Sequence, residues 1–195
     1  MTVPFPLMKT DVHILQLKVS LLGSKPLIWR RLLVPSGATF ATLSDIIQDS
    51  FGWYGGHLHQ FWTKGAYGRD SRAIVNKNIE GFEEADETAA DESKTRVNDL
   101  LSKVGDTVTY EYDFGDGWLH SVVLENIVEK ETGTEYPRCV DGKNACPPED
   151  CGGLGGYAHL LEVLKNPKHP EHQDMRDWLE LEEGEKFDPT HFELE

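Results

Sequence analysis

The sequence predicts an α+β fold: a single domain with a mainly antiparallel sheet and flanking helices. Three observations lead there. Stretches of period-two alternation recur at hairpin spacing. Stretches of helical period stand before and after them, not between every pair, which disfavours a parallel doubly wound sheet. The length, 195 residues, suits one core, and 38% apolar residues with 5 Trp, 6 Tyr and 8 Phe are enough to build it.

In ILQLKVSL, residues 14–21, Leu15, Leu17, Val19 and Leu21 alternate with Gln16, Lys18 and Ser20, the mark of a half-buried strand. PLIWRRLLV follows Gly23 and Ser24 as a second, antiparallel strand and ends at Pro35-Ser36-Gly37. From Thr39 the period changes. Phe40, Leu43, Ile46, Ile47 and Phe51 share one helical stripe, and Gly52 sits where a C-terminal cap belongs. HLHQFW, residues 57–62, returns to alternation.

Residues 80–99 hold eight acids against two bases and almost no large apolar group, so an exposed, mobile acidic insertion is expected at about 80–95. A short helix carrying Val97, Leu100, Leu101 and Val104 inward is expected next, stopped by Gly105. Strands over 106–114 and 118–128 then form a hairpin, and 129–156 reads as a long loop rich in Pro and Gly. YAHLLEVLKN predicts a helix halted by Pro167. A last helix covers roughly 170–181, with Met175, Trp178 and Leu179 apolar.

Charge is unevenly spread. Net charge is −15, yet residues 1–78 hold nine Lys/Arg against four Asp/Glu, and the rest hold ten against thirty. Such an acidic chain repels phosphate backbones, so nucleic acid is not expected to bind strongly, although the first half leaves room for a small basic face. No apolar run reaches the ~18 residues of a membrane span. The first twenty residues lack the basic-then-apolar layout of a signal peptide, so a cytoplasmic protein is expected. Three cysteines, an odd number, argue against a disulfide framework and for reduced thiols, ligands or core residues.

The chemistry concentrates in YDFGDGWLHSV, residues 112–122. With Gly115-Asp116-Gly117 as a three-residue hairpin loop, Phe114 faces Trp118, Tyr112 faces His120, Tyr110 faces Val122 and Val108 faces Leu124, all on the core face. His120 then reads first as a core histidine bonded to a tyrosine or carboxylate, and second as a functional group. Turn geometry accounts for Asp116. Asp113, at the strand's end on the opposite face, is not required by such a turn. Together Asp113 and Asp116 could hold a cation or position a water.

His57 and His59, two apart on a strand, project from one face and could reach one ion, or could merely decorate an exposed face. The leading metal set is therefore His57, His59, Asp113 and Asp116, provided the fold brings that strand beside the hairpin. A weaker set is Cys139, Cys146, Cys151 and His159, whose spacing is not the C-x2-C of structural zinc. Between those thiols Pro147-Pro148 stiffens the loop, and Glu149 and Asp150 are expected to cap a following turn, joining Asp113, Asp116 and His120 as the candidate polar site. Four glycines between 152 and 156 are not followed by Lys-Ser/Thr, which excludes a P-loop, and no G-x-S-x-G or H-E-x-x-H is present.

LKVSLLGSKPLIWRRLLVP, FGWYGGHLHQF, YEYDFGDGWLHSVVLE, YPRCVDGKNACPPEDCGG and FDPTHF, in that order, resemble the plasmid pRi ORF-three-like family, which also carries the label insertion-sequence TnpR-like. The resemblance spans nearly the whole chain apart from the acidic insertion. It implies a single α+β domain often linked to plasmids or mobile elements, with no established activity. The TnpR-like label points to a resolvase, but a serine resolvase needs an N-terminal nucleophilic serine among arginines and a helix-turn-helix tail, and this chain shows neither.

The leading expectation is a non-catalytic binding or accessory module for a protein or small ligand. A metal-dependent, hydrolase-like enzyme built on His57, His59, Asp113, Asp116 and His120 is the alternative, and a weak nucleic-acid binder the third. No motif demands a cofactor; a divalent metal is the one candidate.

Overall fold

The computed structural model describes residues 13–67, 70–79 and 88–194. Its elements, in chain order, are β1 (Ile14–Leu21), β2 (Trp29–Pro35), α1 (Phe40–Phe51), β3 (His59–Trp62), β4 (Ala73–Val75) and β5 (Ala90–Asp91). They continue with α2 (Val97–Leu100), β6 (Thr107–Tyr112), β7 (Trp118–Val128), β8 (Arg138–Lys143), α3 (Gly153–Lys165) and α4 (His172–Trp178). One eight-stranded sheet runs β5-β4-β3-β6-β7-β1-β2-β8, with every pair antiparallel except β4–β5. This is the mainly antiparallel α+β architecture that the alternation predicts. Among the described residues no helix is long and apolar enough to cross a membrane.

The pleat decides the core. Leu15, Leu17, Val19 and Leu21 of β1 lie beside Leu32 and Val34 of β2 and Val122 and Leu124 of β7, all buried. α1 covers this face because Phe40, Leu43, Ile47 and Phe51 share a stripe. Thr39 caps its start, accepting a hydrogen bond from the Thr42 N–H at 3.2 Å, and Gly52 ends it in the left-handed region at φ 76°. The Tyr110 hydroxyl bonds Ser44 at 2.9 Å and Gln48 at 3.0 Å, fixing the helix over β6. Each fully buried Leu, Ile or Phe of the stripe contributes about 1.5–3 kcal/mol, and a charge at Ile47 would remove that and strand itself.

Four features differ from expectation. Tyr112 pairs with Trp118, Tyr110 with His120 and Val108 with Val122, so the hairpin register lies two residues away and five residues, 113–117, form the connection. A shift of two keeps every residue on its face, so the core side is unchanged while Phe114 turns out to solvent. Of the acidic stretch, 80–87 lie outside the described residues; beyond them Ala89 and Glu92 are buried and Ala90–Asp91 pair with β4. Within the expected 129–156 loop, β8 forms an edge strand on β2, and α3 begins at Gly153. Finally, α2 stops at Leu100 and leaves Val104 exposed.

The segment after α1, the β6–β7 connection and the segment between β8 and α3 meet at one end of the sheet. That junction gathers most of the candidate polar residues.

Candidate functional site

Asp113 builds the turn that it was expected merely to adjoin. Its φ is 54°, a left-handed value that aspartate tolerates, and its Oδ1 accepts the Gly115 N–H at 2.8 Å. The Asp113 N–H donates to the Leu58 carbonyl at 2.9 Å. The residue is 7% exposed and its carboxylate is held from one side only. The free oxygen, Oδ2, faces His57 Nδ1 at 3.8 Å.

The segment from Asn144 to Gly152 is clamped over this turn by its neighbours. Asn144 donates through Nδ2 to the Leu27 carbonyl at 2.8 Å, and the Trp53 indole N–H donates to the Pro147 carbonyl at 3.0 Å. Glu149 accepts from the Tyr112 hydroxyl and, at 3.1 Å, from the Tyr54 N–H. It therefore ties the segment to the sheet and the post-α1 bend, whereas the sequence led to the expectation that it would cap a following turn. Burial, followed by the Glu149 hydrogen bond, pushes the Tyr112 hydroxyl well above the usual phenol range. Held this way, Asp150 at φ 58° points Oδ1 toward His57 Nε2 at 3.3 Å.

His57 thus stands between two carboxylates, one opposite each ring nitrogen, with its ring edge on Tyr112 at 5.8 Å. Donor atoms of His57, Asp113 and Asp150 all lie within 4.8 Å of one another, and among the described residues they form the one such group of three. Trp53 stacks on Tyr112 at 5.0 Å.

The other candidates are placed elsewhere. Asp116 turns toward α3, where Oδ2 accepts the Gly152 N–H at 3.1 Å. β3 begins only at His59, so the alternation does not reach back to His57 and the two imidazoles part. His59 Nε2 lies 2.8 Å from Glu92 Oε2, a buried carboxylate. His120 is wholly buried among Phe51, Trp53 and Tyr110, and neither ring nitrogen has a hydrogen-bond partner in normal geometry, which corrects the expected hydrogen bond to a tyrosine or carboxylate. Burial pushes its pKa down to about 3, so it is neutral at ordinary pH.

The thiols and His159 do not gather around one point among the described residues. Cys146 takes a hydrogen bond from Arg30 Nη2 at 2.9 Å, and burial pushes its thiol up to about 12. Burial likewise pushes Cys151 up to about 12, while His159 pairs with Glu171 at 2.8 Å. Arg30, buried in the leucine row of β2, was not singled out from the sequence, nor were Trp53, Tyr54 and Tyr112 as the frame of the site. The one available signal was FGWYGG, where two large aromatics stand in a glycine-bounded turn that a mere connection does not need.

Comparison with known proteins sets this geometry in a family. Residues 13–195 match the family model described as plasmid pRiA4b ORF-3-like protein. The chain belongs to that family. Among its relatives, the plasmid ORF-3-like chain is 34% identical over 170 residues to the uncharacterized protein y4hQ of Sinorhizobium fredii (strain NBRC 101917 / NGR234), covering 85% of this chain and 80% of y4hQ. It is also similar to the crystal structure of MM3350 from Methanosarcina mazei Go1, a protein of unknown function, with 37% identity and a TM-score of 0.79 over 95% of this chain and 96% of that one. Neither relative brings an established activity to the ORF-3-like chain.

Proposed function

We propose that this ORF-3-like chain is a cytoplasmic binding or accessory module of a mobile-element-associated family, and that its hairpin-tip site takes a divalent transition-metal ion. The observation that carries the reading is the convergence of one imidazole and two carboxylates, from three separate segments, within 4.8 Å. A mixed nitrogen and oxygen donor set suits zinc, manganese or ferrous ions better than calcium, which prefers oxygen alone. One ring nitrogen of His57 and one oxygen from each carboxylate are close enough together to reach a single ion. The Gly115 N–H on Asp113 Oδ1 orients that carboxylate and leaves Oδ2 for the ion. Three protein donors leave coordination positions open for a group on a partner or small ligand. The mobile-element link rests on the family resemblance; the resolvase label is not carried over.

Metal content of chain purified without chelator tests this, followed by calorimetric titration of the stripped protein with Zn²⁺ and Mn²⁺. The expected result is one tight equivalent, weakened at least about tenfold in His57→Ala and in Asp150→Asn. Equal affinity in wild type and both variants would refute the site.

A second reading, a metal-dependent hydrolase, is favoured by the same open positions and by the Tyr112–Glu149 pair beside them. In that reading His59, Asp116 and His120 drop out, since each is engaged or buried away from the trio.

A further inference from the structure

We infer that the cleft between α3 and α4 is a binding site for a small organic cation, an ammonium or guanidinium carried on an apolar body. The cleft, half open to solvent, has a volume of about 360 Å³ and is lined by Leu160, Met175, Trp178, Asp150, Asp174 and His159. That volume accommodates a small metabolite-sized molecule.

Leu160 and Met175 pack into the core, which leaves Trp178 as the uncovered apolar side chain of the cleft. α4 contains no buried residue, and Trp178 at its end remains 47% exposed, although it is the largest side chain the helix carries. A seven-residue helix has little stability of its own and depends on covering such a face. The rest of the cleft says what covers it. Asp150 and Asp174 line it, no Lys or Arg does, and His159 is already taken by Glu171. Asp174 has no ion-pair partner among the described residues. An anion would meet two carboxylates in a chain of net charge −15. A cation satisfies the acids and gains the indole face, the best of the aromatic surfaces for an ammonium group.

The inference does not depend on the metal reading. The two sites meet only at Asp150, whose Oδ1 faces His57, while Asp174 and Trp178 belong to the cleft alone.

The test is a nuclear magnetic resonance titration of chelator-treated protein with phenethylammonium chloride, and in parallel with 3-phenylpropionate, of similar size and opposite charge. The indole N–H signal of Trp178, identified by its loss in Trp178→Phe, should move saturably with the ammonium and not with the carboxylate. Asp174→Asn should weaken binding about tenfold. No saturable movement, equal response to both probes, or indifference to Asp174→Asn would overturn the inference. So would capture of a lysine-rich peptide without binding of the free ammonium, which would make the cleft a protein-docking groove. Loss of metal uptake alone would count against the hairpin-tip site and leave this one standing.

Discussion

Asp116 Oδ2 accepts a hydrogen bond from the Gly152 N–H at 3.1 Å, and this contact fastens the tip of the β6–β7 hairpin to the start of α3. Gly153, next in the chain, has φ 66° and packs so closely that a Cβ there would run into the Asp116 carbonyl oxygen. Gly153→Ala is therefore expected to destabilise the fold by about 2 kcal/mol or more, from strain and steric conflict together. It should also weaken metal uptake, since Asp150 is presented by the same segment. Urea unfolding and metal titration of the variant check both, and wild-type behaviour in both would mean that the tie is not made in solution.

His120 gives the fold a pH dependence of known sign. Burial holds its folded pKa at about 3, below the ordinary 6.5. Between those values the unfolded chain binds a proton that the folded chain refuses, so stability rises with pH there. The contribution is complete above pH 6.5 and is lost as pH falls toward 3; the shift corresponds to a few kcal/mol in order of magnitude. Comparing urea midpoints of wild type and His120→Leu from pH 4 to 7 isolates this part from the carboxylates, which both proteins share. The variant should show the flatter profile, and parallel curves would sink the assignment.

Glu92, 2% exposed and paired with His59, anchors the segment after the undescribed residues 80–87. Glu92→Ala leaves His59 without its partner and is expected to cost about 1–3 kcal/mol, while Glu92→Gln, which keeps an acceptor, should cost less. Thermal unfolding ranks the three proteins. A silent Glu92→Ala would return this segment to the exposed acidic stretch that its composition predicts.

How much was legible depended on whether one residue or several decided the outcome. α1 was readable because Thr39 and Gly52 bracket a clean apolar stripe. The hairpin face was readable and its register was not: alternation is blind to shifts of two, and the deciding fact is the left-handed Asp113. β8 escaped because an edge strand without a fully buried residue has no alternation to show, and β5 because its two residues pair through β4 and carry no pattern of their own. At the site, His57 and Asp113 could be nominated together from residue type, and the structure sets them side by side. The approach of Asp150 depends on the Glu149–Tyr112 and Trp53–Pro147 bonds, contacts between segments far apart in sequence that local pattern does not record.

The strand order has a consequence for how the molecule is made. β3 is joined to β6 and β1 to β7, so the β6–β7 hairpin is the bridge between β3–β5 on one side and β1–β2 on the other, all of which precede it in the chain. A nascent chain leaving the ribosome carries β1 and β3 with open edges until Thr107–Val128 has followed. Such long-range pairing slows folding, because chain closure must be met before the contacts that reward it. Asp150 emerges later still, so His57, Asp113 and Asp150 cannot be brought together until synthesis has passed the segment between β8 and α3.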